Sequence, residues 1–117
     1  MYFPSRDDVV EIDVRVPSVL LRAPVIVQAV ADAFNISTND IISQRRHQSI
    51  MGARFAAYWL ARELTSYSLP KIGEIMGRRD HTTIMHGITK CERRQKDDPI
   101  YRNRVADARQ KIVEKAN

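Results

Sequence analysis

The chain has 117 residues, a formal net charge of +5 and a sequence pI of about 9.7. That length suits one domain with a modest core. The basic balance favours a polyanionic partner, although a solvated basic surface has the same composition. One cysteine, Cys91, excludes an intrachain disulfide and any cysteine-rich zinc site. Arg22 and Asp32 interrupt the best apolar run before it reaches membrane-spanning length.

The charge is unevenly spread. Residues 1–40 hold three Arg against six Asp and Glu, whereas residues 41–117 hold sixteen Lys and Arg against eight acids. The N-terminus, Met1-Tyr2-Phe3-Pro4, lacks the basic region and apolar run of a signal peptide. Residues 10–16 alternate apolar and charged side chains, which is a strand pattern with one dry face. A lone strand cannot bury that face. Either residues 9–16 pair with a partner, a homodimer being one solution, or residues 1–21 form a disordered leader.

From residue 22 onward the periodicity is helical throughout, predicting an all-α bundle of about six helices over residues 22–117. Residues 24–34 place Ile26, Ala29, Val30, Ala33 and Phe34 inward, and Asn35 can end that helix. Ser37 or Thr38 can cap a short helix with Asp40 in its first turn. A basic loop, Gln44-Arg45-Arg46-His47-Gln48-Ser49, follows. Residues 49–66 read as the longest helix, with Met51, Phe55, Ala56, Trp59, Leu60 and Leu64 at core spacing. Arg54, Tyr58 and Arg62 fall on a different face.

Ser68 can cap the next helix, with Pro70 in its first turn, and Leu69, Ile72, Ile75 and Met76 recur at buried spacing. Gly73 lacks a side chain where two helices can cross closely. Gly77 suits the left-handed residue that ends a helix. Asp80 then caps a helix whose inward stripe is Ile84, Ile88 and Cys91, with His81, Thr82, His86 and Lys90 outward. Two short helices joined by a tight turn form a helix-turn-helix, whose second helix enters a DNA major groove. Lys90, Glu92, Arg93, Arg94 and Lys96 then give either added positive charge or a solvated face. Asp97-Asp98-Pro99 starts a final bracing helix with Tyr101, Val105, Ala108 and Ile112 inward.

The ordered set Ser68-Leu69-Pro70, Ile72-Gly73, Gly77 and Arg79-Asp80-His81-Thr82-Thr83 resembles the signature of the DnaA C-terminal (domain IV) DNA-binding domain. The similarity extends upstream through Ala61-Arg62-Glu63-Leu64-Thr65 and Ser43-Gln44-Arg45-Arg46, and more weakly over residues 22 to 115. The resemblance implies double-stranded DnaA-box DNA as partner, a cytoplasmic, nucleoid-associated protein, and a role in replication initiation or transcription. By resemblance, Arg46 aligns with an arginine inserted into the minor groove, and narrow A·T-rich grooves attract such a charge. Arg54 and Arg62 match phosphate-contacting positions, and Arg79, Asp80, His81, Thr82 and Thr83 carry box specificity. The chemistry suits those roles: arginine bonds guanine bidentately, and threonine offers a methyl to thymine. Asp80 serves equally as a helix cap. Phe55 departs from a polar residue, often Gln, in familiar members, which places one backbone contact in doubt.

Enzyme readings find no support. His81, His86 and Cys91 are five residues apart, and five residues turn a helix by about 500°, so they fan out rather than converge on a metal. Neither a nucleophile elbow nor a phosphate-binding P-loop occurs. No cofactor is expected. The full initiator carries an AAA+ ATPase module, so this chain alone is not expected to oligomerise on ATP or melt an origin. The extension and Met1 suggest a free-standing small protein rather than an excised fragment. The competing expectation is a protein-interaction module, or a non-specific DNA binder, that keeps the helical scaffold, but a pure scaffold gives no reason for His81-Thr82-Thr83.

Overall fold

Six α-helices build the fold in the computed structural model, which describes residues 23–116. They are α1 (Ala23–Phe34), α2 (Thr38–Ile42), α3 (Gln48–Leu64), α4 (Leu69–Ile75), α5 (His81–Asp97) and α6 (Pro99–Ala116). No strand occurs among the described residues. The expected strand and dimer contact at residues 9–16, and the extension at 1–21, lie outside them.

Local chemistry sets most boundaries. Asn35 adopts φ 59° after α1, and the N–H groups of Asn35 and Ile36 reach the carbonyls of Asp32 and Ala31 at 3.4 and 3.0 Å. This left-handed closure satisfies carbonyls that the helix end would otherwise orphan. Ser37 caps α2 by accepting from the Asp40 N–H at 3.1 Å, and Ser68 caps α4 by accepting from Lys71 at 3.2 Å. Asp98 caps α6, accepting from the Tyr101 N–H at 3.1 Å, and Pro99 occupies the first helical position, where its missing N–H is harmless.

Helix α3 is the central element, packed against α1, α2, α4 and α5, while α6 lies along α1 and also touches α5. Its buried positions include Ala53, Ala56, Ala57, Leu60, Ala61 and Leu64, and the small side chains let neighbouring helices approach closely. Because α3 is covered on several sides, its buried arc is wider than one amphipathic stripe. Arg54 and Tyr58 are therefore 2% and 1% exposed, although sequence spacing put them on a different face from the core. Phe55 and Trp59 sit at the core's edge, partly buried. The expected longest helix, α3, has 17 residues and is exceeded by α6, with 18.

Helices α3 and α5 cross at Gly87, where a Cβ would lie 2.6 Å from the Tyr58 ring and 2.9 Å from the Phe55 ring. Gly73, expected at a helix crossing, instead faces backbone: a Cβ there would sit 1.9 Å from the Arg79 carbonyl oxygen. At the far side Tyr101 locks α6 down. Its ring meets Phe34 edge-on at 5.7 Å, its hydroxyl donates to the Gly52 carbonyl at 2.7 Å, and the Arg94 guanidinium lies 4.3 Å over it. Val105, Ala108 and Ile112 continue the inward stripe as expected.

Candidate nucleic-acid interface

Helices α4 and α5 form the helix-turn-helix, and the turn between them is tightly determined. Ile72 and Met76 bury α4 against the core, with Leu69 and Ile75 partly covered. Gly77 and Arg78 then adopt φ 96° and 61°, and the Arg79 N–H reaches back to the Gly73 carbonyl at 2.8 Å. Glycine is required at 77 twice over: its φ is left-handed, and a Cβ would fall 2.4 Å from the Ile42 carbonyl oxygen. The turn therefore packs directly on the end of α2.

Asp80 starts α5 by accepting from the Thr83 N–H at 2.8 Å. That backbone bond holds its carboxyl below the ordinary carboxylate range, aided by the Thr83 hydroxyl and the neighbouring His81. Ile84, Ile88 and Cys91 are buried as the sequence predicts. Burial pushes the Cys91 thiol up to about 11, so it behaves as a small core residue rather than a thiolate. His81, Thr82, Thr83, His86, Thr89 and Lys90 are all exposed. The first turn of α5 thus presents three polar side chains beside its free N–H groups.

The loop joining α2 to α3 forms the second part of the surface. Arg45, Arg46 and His47 are exposed on it. Arg45 pairs with Asp40 at 3.2 Å, and its N–H donates to the Ser43 hydroxyl at 3.3 Å. Arg62 is exposed in the last turn of α3.

Two of the expected contact residues bond within the protein, Arg54 buried and Arg79 half-buried. The Arg54 guanidinium donates to the carbonyls of Ile41 at 2.8 Å and Asp40 at 2.9 Å, to the Ser43 carbonyl, and to the Ser43 hydroxyl at 3.2 Å. Expected on an outward face to meet phosphate, it is 2% exposed because these carbonyls recruit its donors. Arg79, expected to reach a guanine, donates instead to the Ser43 carbonyl at 2.6 Å, the Ile42 carbonyl at 3.3 Å and the Gln44 side chain at 3.3 Å. Burial lowers the Arg54 pKa, and the positive charges of Arg79 and Arg46 lower it further. Burial raises Tyr58, with the nearby Arg79 and Arg54 pulling the other way.

A profile of the family described as bacterial dnaA protein helix-turn-helix matches residues 24–91. The chain is also 41% identical over 97 residues to the chromosomal replication initiator protein DnaA of Oenococcus oeni, covering 83% of this chain and 22% of that protein. It is 42% identical over 80 residues to the DnaA of Lachnoclostridium phytofermentans, covering 68% of this chain and 18% of that one. The chain belongs to the DnaA helix-turn-helix family. It spans about a fifth of the length of these curated relatives. A DnaA-type helix-turn-helix is a DNA-binding domain, not an enzyme.

Within this DnaA-type domain the structure brings His81, Thr82 and Thr83 together on one exposed turn beside Asp80. It places Arg46 on the loop fastened to the preceding turn, and Arg62 separately at the end of α3. Phe55, the departure from the familiar polar residue, is half-buried between Tyr58 and Gly87, with the Lys90 ammonium 5.7 Å over its ring. Sequence reading did not anticipate Ser43 as an acceptor shared by two arginines. Backbone carbonyls carry no residue signature, so no motif announces such a site. His86 and Thr89 share the exposed side of α5 with Thr82; their i+4 and i+7 spacing was the available signal.

Proposed function

We propose that the chain binds double-stranded DNA at DnaA-box-like sites and so regulates replication initiation or transcription at the nucleoid. The observation that carries this reading is the exposed His81-Thr82-Thr83 turn at the start of α5, uncovered by any described element. In this reading α5 enters the major groove and these side chains meet base edges. Arg46 reaches the adjacent minor groove, while Arg62 and the first N–H groups of α5 meet phosphates. Asp80 holds the first turn in shape and is placed to accept from a base amino group as well. In this reading Arg54 and Arg79 act by supporting the loop.

Fluorescence anisotropy against a DnaA-box duplex and a scrambled duplex, each titrated at several salt concentrations, tests the proposal. Phosphate contacts alone give salt-sensitive but sequence-blind binding. Much tighter binding to the box is expected. Equal binding to both duplexes would remove the sequence-reading role and leave a backbone grip. Binding to neither would remove the DNA reading altogether.

A further inference from the structure

Helix α2 has only five residues, so the carbonyls of its last turn have no partner further along the helix. The chain then leaves it as an irregular loop bearing Arg45 and Arg46. The open carbonyls do not face solvent alone. Arg54, from the middle of α3, fills those of Asp40, Ile41 and Ser43. Arg79, from the helix-turn-helix turn, fills those of Ile42 and Ser43 and adds the Gln44 side chain. Two cations converge on one carbonyl oxygen despite their mutual repulsion, with Tyr58 and Asp40 the neighbours that favour the Arg54 charge.

We propose that Arg54 and Arg79 are positioning residues that staple the basic loop to the helix-turn-helix, so that the loop and α5 present one preformed surface. Arg79 does this twice, because its N–H closes the turn on Gly73 while its guanidinium holds the loop. Arg46 lies two residues beyond the pinned Gln44 side chain, so the staple sets where its charge is offered. A planar guanidinium can bridge several carbonyls at once, which an ammonium on a flexible stem cannot reproduce. A loop ordered before binding loses less entropy on binding than a free one. The consequence for DNA rests on the function proposed above; the staple itself does not.

The test therefore has an arm without DNA. Amide hydrogen exchange and nitrogen relaxation at residues 44–47 are compared in the wild-type chain, Arg79→Lys and Thr82→Ala. Arg79→Lys is expected to loosen the loop while Thr82→Ala leaves it unchanged. A loop equally ordered in Arg79→Lys and the wild type would overturn the staple.

The second arm is a double-mutant cycle of Arg79→Lys with Arg46→Ala, read as affinity for a DnaA-box duplex. If Arg79 acts through the loop, the lysine variant weakens binding although it keeps the charge. That loss then shrinks by at least roughly twofold once Arg46 is absent. Additive losses would instead make Arg79 an independent DNA contact, full affinity in Arg79→Lys would make its guanidinium dispensable, and either result would overturn the positioning role. If no variant binds DNA, the proposed function fails, and the exchange arm still decides the staple. Thermal melting of each variant separates loop loosening from unfolding. Should Arg79→Lys melt early, Arg79→Gln, which keeps a planar donor group but reaches less far and drops the charge, decides the same question by the same exchange readout: a loop as ordered as in the wild type would overturn the staple.

Discussion

Gly52 and Arg54 stand two residues apart on α3, yet they anchor opposite kinds of structure. At Gly52 the backbone carbonyl receives the Tyr101 hydroxyl, within an apolar seam that includes Phe34, Val105 and Ile112. At Arg54 a charged side chain gathers the carbonyls at the end of α2, from Asp40 and Ile41, and that of Ser43 just beyond it. The first anchor uses burial, one neutral hydrogen bond and the Arg94 guanidinium over the Tyr101 ring, and nothing about it depends on a ligand. The second keeps two positive charges beside the proposed DNA surface, where a polyanion relieves their repulsion. Stability and recognition thus hang from neighbouring residues of one helix through different physics.

The comparison can be broken from the stability side first. Leu60→Ala removes a fully buried side chain from α3 and leaves a cavity, which should cost about 2–5 kcal/mol in urea unfolding. A much smaller loss would mean that α3 is not the centre of the core. Tyr101→Phe should cost about 1–3 kcal/mol, because the buried Gly52 carbonyl loses its donor. It should leave discrimination between box and scrambled DNA unchanged. Altered discrimination would tie the brace to the recognition surface and erase the contrast.

The recognition side gives the converse pattern. Thr82→Ala or His81→Ala should reduce sequence discrimination by about 1–3 kcal/mol with an unchanged melting temperature, since both side chains are exposed. Unchanged discrimination in both variants would count against α5 as the reader. The smallest expected effect belongs to Asp80. Its folded pKa is depressed, so its contribution to stability is fully present above the unfolded pKa and disappears as pH falls through the folded value. Melting temperature followed from pH 5 towards pH 2 should fall less steeply for Asp80→Asn than for the wild type. Equal slopes would show that the cap adds nothing in solution.

Local rules made much of this fold legible. Ser37, Ser68 and Asp80 cap helices because a side-chain oxygen three residues before an N–H reaches it without help from the rest of the chain. Gly77 was readable for the same reason as a left-handed residue beyond a helix end, and Asn35 as a residue that ends one. The inward stripes of α5 and α6 follow from a 3.6-residue period. Helix α3 was less legible: periodicity finds one face, and this helix is covered on several. Of the candidate site, the exposed turn at His81, Thr82 and Thr83 was readable, whereas the carbonyl partners of Arg54 and Arg79 were not.

The sequence by itself determined six helices, the helix-turn-helix with its caps and turn, and membership of the DnaA family, because each is written in residues near one another along the chain. Only the tertiary structure decided which arginines take carbonyl partners within the protein. A guanidinium reaches far enough to choose among partners 11 to 37 residues away, and its choice depends on carbonyls exposed by a short helix packed elsewhere. It likewise decided that Gly87 admits the Tyr58 and Phe55 rings of α3 while Gly73 admits the Arg79 carbonyl, since a glycine's purpose is set by what approaches it.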